Sequence, residues 1–215
     1  MALTLYYHPL SSYCMKVLIA LYENGTPFTA HLVRLREPAE RAEFLKLWPL
    51  GKFPVLTDGD RLVPESSIII EYLDQKHPGR TRFIPAEADA ARQMRMRDRF
   101  FDLHVMEQMT KIVGDRLRPE GRHDPFGVEE ARTRLATALG MADEALAGKA
   151  YAFGESFTMA DCAAVPSLFY AAKIVEGFGS TYPAVAGYLD RQAKRGSVAR
   201  TLREAEPYMD LFPKG

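Results

Sequence analysis

The sequence predicts an α/β plus all-α protein, in which a first domain with the element order βαβαββα is followed by an all-helical domain. In the first third of the chain, short strand-like runs alternate with helical runs, whereas every periodic run after residue 87 is helical. The turn-rich segment HPGRTRFIPAEADA lies between the two parts. We therefore expect the first domain over residues 1–78, a linker over 79–87 and the helical domain over 88–215.

The elements of the first domain follow from residue types and turn signals. Strands are predicted for LTLYY, for PFTAHLV and for both halves of FPVLTDGDRLVP, which join as a hairpin around Asp58-Gly59-Asp60. Helices are predicted for SYCMKVLIALYEN, PAERAEFLKLW and SSIIIEYLDQKH, because Gly25, Pro49 and Pro78-Gly79 end them.

The second domain shows helical periodicity. The run ARQMRMRDRFFDLHVMEQMTKIV predicts one long helix, and EEARTRLATALGMADEALAG carries an apolar stripe at helical spacing. The stripe consists of Ala131, Leu135, Leu139, Ala142 and Leu146. We expect these helices to form a bundle.

Composition narrows the classes of function. The 215 residues are 47% hydrophobic, and 28 Lys and Arg balance 28 Asp and Glu. This balance disfavours nucleic acid and anionic membranes as partners and favours a small or neutral ligand. No apolar run approaches the roughly 20 residues of a membrane span, and MALTLYYHPL lacks the features of a signal peptide, so we expect a cytoplasmic protein. The two cysteines and five histidines have no metal-ligand spacing, so we expect no metal site.

The stretch HPLSSYCMKV places two hydroxyls and a thiol where the first strand gives way to the first helix. A serine at this position is an ordinary helix cap. A helix N-terminus that directly follows a strand is also an anion site, where a serine hydroxyl can donate a further hydrogen bond to a thiolate. Lowering a thiol pKa by about two units requires roughly 2.7 kcal/mol, which these groups can supply together. The stretch is therefore suited to thiolate chemistry.

Two other side chains in this region compete for a chemical role. Cys14 falls inside the predicted helix among apolar residues, where a free cysteine is commonly a buried small hydrophobe rather than a nucleophile. Tyr7 ends the first strand two residues before Pro9. Its hydroxyl is a second candidate for the chemical role, and the alternative is that Tyr7 is an ordinary aromatic residue of a strand.

A second informative stretch is WPLGKFPVLTDGDRLVPESSIIIEYL. A proline that opens a strand is tolerated at an edge or after a cis bond, and a cis Phe53-Pro54 bond would present the Phe53 backbone to an extended peptide. Glu65 and Ser66 begin the third helix. They form either a plain cap or a site for an amino acid, with Ser66 on its carboxylate and Glu65 on its ammonium group.

Three motifs, YYHPLSSYCMKV, GKFPVL with PESSIIIEYL, and FTMADC, together resemble the cytosolic glutathione transferase family over essentially the full chain. The resemblance implies a thioredoxin-like first domain and an all-helical second domain. In FTMADC, Thr158 and Asp161 form a capping box that serves folding.

The family resemblance also implies roles for individual residues. The serine-type delta, theta and zeta classes have their catalytic serine at Ser11, whereas the tyrosine-type classes have a tyrosine at the position of Tyr7, which is the second candidate. Glutathione, as co-substrate, would be bound by Ser11, Lys52, Phe53, Pro54, Glu65 and Ser66. Lys52 departs from the residues that some serine-type classes have before the cis proline.

The implied reaction is attack of the glutathione thiolate on a small hydrophobic electrophile in a homodimeric enzyme. The electrophile site would lie between the domains, and its candidate lining residues, each with bundle core as the alternative, are Phe100, Phe101, His104 and Met109. Two alternatives stay open. One is a glutathione-dependent isomerase, dehalogenase or reductase, and the other is a non-catalytic binding module.

Overall fold

The structure, a computed structural model, describes residues 3–213. The first domain consists of β1 (Leu3–Tyr7), α1 (Ser12–Glu23), β2 (Phe28–Leu32), α2 (Pro38–Leu47), β3 (Val55–Asp58), β4 (Arg61–Pro64) and α3 (Ser66–Lys76). The second consists of α4 (Ala88–Phe100), a π-helical segment (Phe101–Met106), α5 (Glu107–Asp115), α6 (Pro125–Leu146), α7 (Met159–Ile174), α8 (Phe178–Thr181), α9 (Pro183–Ala193), α10 (Gly196–Ala205) and a 3-10 segment (Glu206–Leu211). This order confirms the predicted fold class.

The four strands form one mixed sheet with the order β2-β1-β3-β4. β1 pairs in parallel with β2 and antiparallel with β3, while β3 and β4 form the predicted hairpin. At the hairpin tip Gly59 has a φ of +57°, a conformation that glycine adopts without steric cost. Because β1 lies between two other strands, its C-terminal end is held in place, and this fixes the position at which α1 begins.

Apolar side chains alternate between the two faces of the sheet. Leu3 and Leu5 of β1 belong to the main core together with residues of α1 and α3. Tyr6 packs on a smaller cluster that includes Phe44 of α2 and Val55 of β3. This alternation is the pattern expected of a sheet covered by helices on both faces.

The long helix predicted from residue 91 onward is helical throughout but is π-helical over Phe101–Met106. The predicted stripe on α6 is buried at all five positions: Ala131, Leu135, Leu139, Ala142 and Leu146. Within residues 3–213, no helix is both long and apolar enough to cross a membrane.

The main core continues from the first domain into the second. Helix α1 packs against α3 of the first domain and against α7 and α10 of the second. Eight consecutive residues of α1, from Cys14 to Leu21, are buried. The Glu23 carboxylate at the end of this helix accepts hydrogen bonds from Arg195 at 2.8 Å and Ser197 at 2.6 Å. The helix that begins at the candidate site is therefore held by both domains.

The predicted capping box opens α7. The Asp161 carboxylate accepts a hydrogen bond from the Thr158 backbone N–H at 2.9 Å and another from the Ala152 N–H at 2.7 Å. The buried Tyr188 hydroxyl also donates to it at 2.8 Å. These bonds compensate a carboxylate that is 0% exposed, so Asp161 is a folding element, as predicted.

Candidate functional site

Ser11 is the N-cap of α1. Its Oγ accepts a hydrogen bond from the Cys14 backbone N–H at 3.3 Å, and its own N–H donates to the His8 carbonyl at 3.0 Å. A hydroxyl has one hydrogen and two lone pairs, and the cap uses a lone pair. The cap does not use the hydroxyl hydrogen, so capping and donation to a ligand are compatible at Ser11.

Two adjoining cavities lie beside this helix end. The first, here called the carboxylate-lined cavity, has a volume of about 540 Å³ and is lined by Glu65, Ser66, Ser67, Glu71, Asp98 and Asp102 among others. The second, the apolar cavity, has a volume of about 780 Å³ and is lined by Leu10, Ser11, Met106, Met109, Val113, Tyr170 and Phe212 among others. Four residues line both: Tyr13, Lys52, Phe53 and Leu103. An elongated ligand could thus reach from one cavity into the other.

The N-terminus of α3 forms one end of the carboxylate-lined cavity. Ser66 is buried in the first turn of α3, and the exposed Glu65 precedes it with φ +69° and ψ 119°. A positive φ is uncommon for a residue with a side chain and recurs at ligand sites. The Glu65 side chain does not cap α3, which leaves its carboxylate available to a cation.

Phe53 and Pro54 close the same cavity from the sheet side. The peptide bond between them is cis, one of the two conformations that the sequence predicts for a proline opening a strand. Lys52 is exposed beside them and lines both cavities. All six predicted glutathione-binding residues therefore line one or both cavities.

The competing side chains near Ser11 lie elsewhere. Cys14 is fully buried in α1, and this burial raises the pKa of its thiol to about 12. Tyr7 is half-buried, and burial, followed by the Glu204 carboxylate, raises the pKa of its hydroxyl. Neither residue is among the described residues that line the two cavities. The structure brings Ser11 to the apolar cavity and does not bring Tyr7 there.

Of the four candidates for the electrophile site, the structure places only Met109 in the wall of the apolar cavity. Phe101 is 3% exposed because it packs into the main core. Phe100 packs edge-on against Phe101, and His104 is exposed to solvent. Phe100, Phe101 and His104 therefore lie in the core or at the surface and do not line the apolar cavity.

Some lining residues were not predicted. Tyr13 lines both cavities and lies in the same motif as Ser11, so its place in that motif was an available signal. Leu211, Phe212 and Pro213 line the apolar cavity from the far end of the chain, and Arg116 donates a hydrogen bond to the Pro213 carbonyl at 2.9 Å. Nothing in the local sequence of this C-terminal segment predicts that it lines the apolar cavity.

A buried ionic cluster lies beneath the carboxylate-lined cavity. The Lys16 ammonium of α1 is 2.5 Å from Asp98 and 2.8 Å from Asp102, and it is 2.8 Å from the Ser67 hydroxyl. Burial raises the pKa of Asp102, although the Lys16 charge opposes the increase. Two carboxylates thus face one ammonium in this buried ionic cluster, and the Arg99 guanidinium lies 3.8 Å from the Asp102 carboxylate at its edge.

No group of three or more His, Cys, Asp or Glu side chains suited to a metal ion occurs within residues 3–213.

Known proteins resemble this chain over nearly all of its length. Models of the N-terminal and C-terminal domains of glutathione S-transferases match residues 5–81 and 125–191. Glutathione S-transferase 3 of Zea mays is 30% identical over 209 residues, which cover 93% of each chain. The chain belongs to the glutathione S-transferase family. The two cavities and the serine at the α1 N-terminus therefore belong to a glutathione S-transferase family member.

Two further relatives of this glutathione S-transferase family member carry different names, one of a transferase and one of a stringent starvation protein. A crystal structure of a glutathione S-transferase from Methylobacillus flagellatus, with glutathione bound, superposes with a TM-score of 0.85 at 28% identity, covering 93% of this chain and 98% of that one. A stringent starvation protein A homolog of Coxiella burnetii is 31% identical over 78% of this chain and 75% of its own length. The family therefore includes relatives that are not named as transferases.

Proposed function

We propose that the protein is a serine-type glutathione transferase that joins glutathione to a small hydrophobic electrophile. The observation that carries this proposal is the pair of adjoining cavities. One begins at the N-terminus of α3, the other contains Ser11 at the N-terminus of α1, and four side chains form walls common to both. A ligand with an amino-acid end and a thiol end fits such an arrangement.

Glutathione binds along the carboxylate-lined cavity. The first turn of α3 and the Ser66 hydroxyl hold its γ-glutamyl carboxylate, and Glu65 holds the ammonium group. The Phe53 backbone beside Pro54 pairs with the peptide, and Lys52 reaches the glycyl carboxylate. The relative from Methylobacillus flagellatus, whose structure contains glutathione, supports this ligand.

Ser11 activates the thiol. Its hydroxyl donates a hydrogen bond to the sulfur, and the N-terminus of α1 stabilises the negative charge that remains when the proton leaves for solvent. The thiolate then forms a C–S bond with the electrophile, whose leaving group departs with the bonding electrons. Holding both reactants raises the effective concentration of thiolate.

The electrophile occupies the apolar cavity. Its walls are mainly aliphatic and aromatic side chains, including Met109, Val113 and Phe212. Such a surface favours a compound with a large apolar part.

Titration calorimetry with glutathione tests this function, followed by a product assay with chlorodinitrobenzene. We expect saturable binding and a thioether product, with chloride released. A second assay with haloalkanes, peroxides and disulfides separates a transferase from a glutathione-dependent dehalogenase or reductase. Absence of glutathione binding by the folded protein would contradict the proposal.

Replacing Ser66 by alanine or Glu65 by glutamine is expected to weaken glutathione binding by at least about tenfold, because each removes a charge-assisted hydrogen bond worth about 1.5–3 kcal/mol. Calorimetry measures the change. Glu43→Gln on α2 is the matched control, because Glu43 is 72% exposed and forms an ion pair with Lys46 in the same helix, away from both cavities. Unchanged affinity in both site variants would refute the placement of the γ-glutamyl end.

We also propose that the protein is a homodimer, as the family resemblance implies. Exposed apolar side chains beside the carboxylate-lined cavity support this, since Ile68 on α3 is 53% exposed and Leu103 is 38% exposed. Light scattering at micromolar concentration is expected to give about twice the chain mass of 24.2 kDa. A monomer mass across that concentration range would contradict the assignment.

A non-catalytic binding module is the second candidate function. The stringent starvation protein A homolog favours it, because that relative is 31% identical and does not carry a transferase name. Glutathione binding without turnover of any electrophile tested would support the module over the enzyme.

A further inference from the structure

Tyr170 connects the helical domain to the loop that carries Ser11. It lies on α7, its side chain is buried, and its hydroxyl donates a hydrogen bond to the Leu10 carbonyl at 2.5 Å. Leu10 directly precedes Ser11. Burial raises the pKa of the Tyr170 hydroxyl, which keeps it protonated and able to donate.

The other hydrogen bonds of this loop are local. The Ser11 N–H donates to the His8 carbonyl at 3.0 Å, and the Leu10 N–H donates to the His8 ring at 3.2 Å. The Cys14 N–H donates to Ser11 Oγ. Among the described residues, the bond from Tyr170 is the hydrogen bond that joins residues 8–11 to the second domain, and the His8 ring adds an edge-on contact with the Tyr208 ring at 5.1 Å.

The same side chain forms part of the apolar cavity. The Tyr170 ring stacks on Phe212, with ring centroids 5.4 Å apart and planes inclined by 17°. Both residues line the cavity, as do Leu10 and Ser11. Tyr170 therefore contacts the wall of the proposed electrophile site with its ring and the activating loop with its hydroxyl.

We propose that Tyr170 is a positioning residue for Ser11. This inference rests on the proposed function. Its hydroxyl holds the Leu10 carbonyl and thereby sets the direction from which the Ser11 hydroxyl meets the sulfur of bound glutathione. Without it, the loop samples orientations in which Ser11 donates poorly, so less of the bound thiol is ionised.

The test is Tyr170→Phe, which keeps the ring and its stacking on Phe212 and removes the hydroxyl. We expect kcat/KM for chlorodinitrobenzene at neutral pH to fall by about two- to tenfold, the range that one hydrogen bond supplies. The pH profile of kcat/KM should move to higher pH, and the ultraviolet absorbance of bound thiolate should decrease. Glutathione affinity should change little.

Tyr182→Phe is the matched control, because the Tyr182 hydroxyl also donates to a backbone carbonyl, that of Ala136, at an exposed position at 3.4 Å. We expect a wild-type pH profile from it. Phe212→Leu is a second variant, which keeps the hydrogen bond but removes the stacking. It should alter KM for the electrophile and leave the pH profile in place.

The outcomes separate this inference from the proposed function. If the wild type binds and conjugates glutathione but Tyr170→Phe keeps the wild-type pH profile and thiolate absorbance, the role of Tyr170 is structural and the inference is overturned, whatever happens to the melting temperature. If the wild type does not bind glutathione, both the proposed function and this inference are overturned. The inference is supported if the pH profile of kcat/KM shifts in Tyr170→Phe and does not shift in Tyr182→Phe or Phe212→Leu.

Discussion

Replacing Lys16 by methionine is expected to destabilise the folded protein by about 3 to 5 kcal/mol. Lys16 is 1% exposed, and its ammonium contacts Asp98 at 2.5 Å and Asp102 at 2.8 Å. Methionine fills a similar volume but removes the ammonium that contacts both carboxylates, so Asp98 loses this ion pair and Asp102 keeps the more distant Arg99 guanidinium at 3.8 Å. Denaturant unfolding measured at neutral pH gives the loss directly.

The control for this experiment is Lys46→Met on α2. Lys46 also pairs with a carboxylate, that of Glu43, but both side chains are more than two-thirds exposed, at 71% and 72%. Water already screens that pair, so we expect little change in stability. Equal losses in the two variants would contradict the importance of burial in the buried ionic cluster.

The loss in Lys16→Met should also depend on pH. Burial raises the pKa of Asp102 in the folded protein, so the folded state binds this proton more tightly than the unfolded state. The stability that this proton contributes is present at low pH and is lost as pH rises through the raised pKa. Without Lys16 the pKa of Asp102 rises further, so the destabilisation should be smaller in mildly acidic buffer than in mildly alkaline buffer. A pH-independent loss would argue against this account.

Replacing Ser11 by alanine is expected to slow conjugation at neutral pH by about ten- to a hundredfold. The reason is the loss of a charge-assisted hydrogen bond of about 1.5–3 kcal/mol, which raises the pKa of bound glutathione by about one to two units. Stability should fall by at most about 1 kcal/mol, the value of the helix cap. The pH profile of conjugation, recorded beside a thermal melt, separates the two effects.

Ser11→Cys should change the reaction instead of only slowing it. A thiol at a helix N-terminus ionises readily, and its thiolate can attack one sulfur of oxidised glutathione. The disulfide of oxidised glutathione breaks, a mixed disulfide with Cys forms, and one glutathione thiolate leaves. Intact-mass analysis should detect this adduct on the variant and not on the wild type.

Tyr7→Phe is the comparison for both Ser11 variants. Tyr7 lies outside the walls of the two cavities, so we expect conjugation to continue in its absence. Loss of conjugation in Tyr7→Phe together with normal conjugation in Ser11→Ala would transfer the activating role to Tyr7. Failure of Ser11→Cys to gain an adduct would equally argue against a thiolate site at this helix end.

Local patterns were sufficient to predict much of this protein. The alternation of strands and helices, the stripe on α6 and the capping box of Thr158 and Asp161 depend on residues within a few positions of one another. The first-domain side of the candidate site was also predictable, because Ser11, Phe53 and Ser66 lie at element boundaries with recognisable turn and cap chemistry.

Features that depend on distant contacts were not predictable in the same way. The single lysine in the apolar run of α1 signals something unusual, but its partners Asp98 and Asp102 are on another domain and follow from packing. The position of Phe212 in the wall of the apolar cavity also follows from packing between segments that are distant in sequence. For Phe101 the sequence left cavity lining and bundle core as alternatives, because helical periodicity does not distinguish a face that lines a cavity from one that enters the core.

The burial of α1 restricts how ligands travel. The helix that Ser11 caps has no solvent-facing residue from Cys14 to Leu21, since the sheet domain covers it on one side and α7 and α10 cover the other. Parting the two domains to admit a molecule would expose this whole apolar surface to water, at a cost that grows with its area. Under the proposed function, substrates therefore arrive and products leave through the outer mouths of the cavities while the domains stay together, and the width of those mouths limits the size of molecule that can enter.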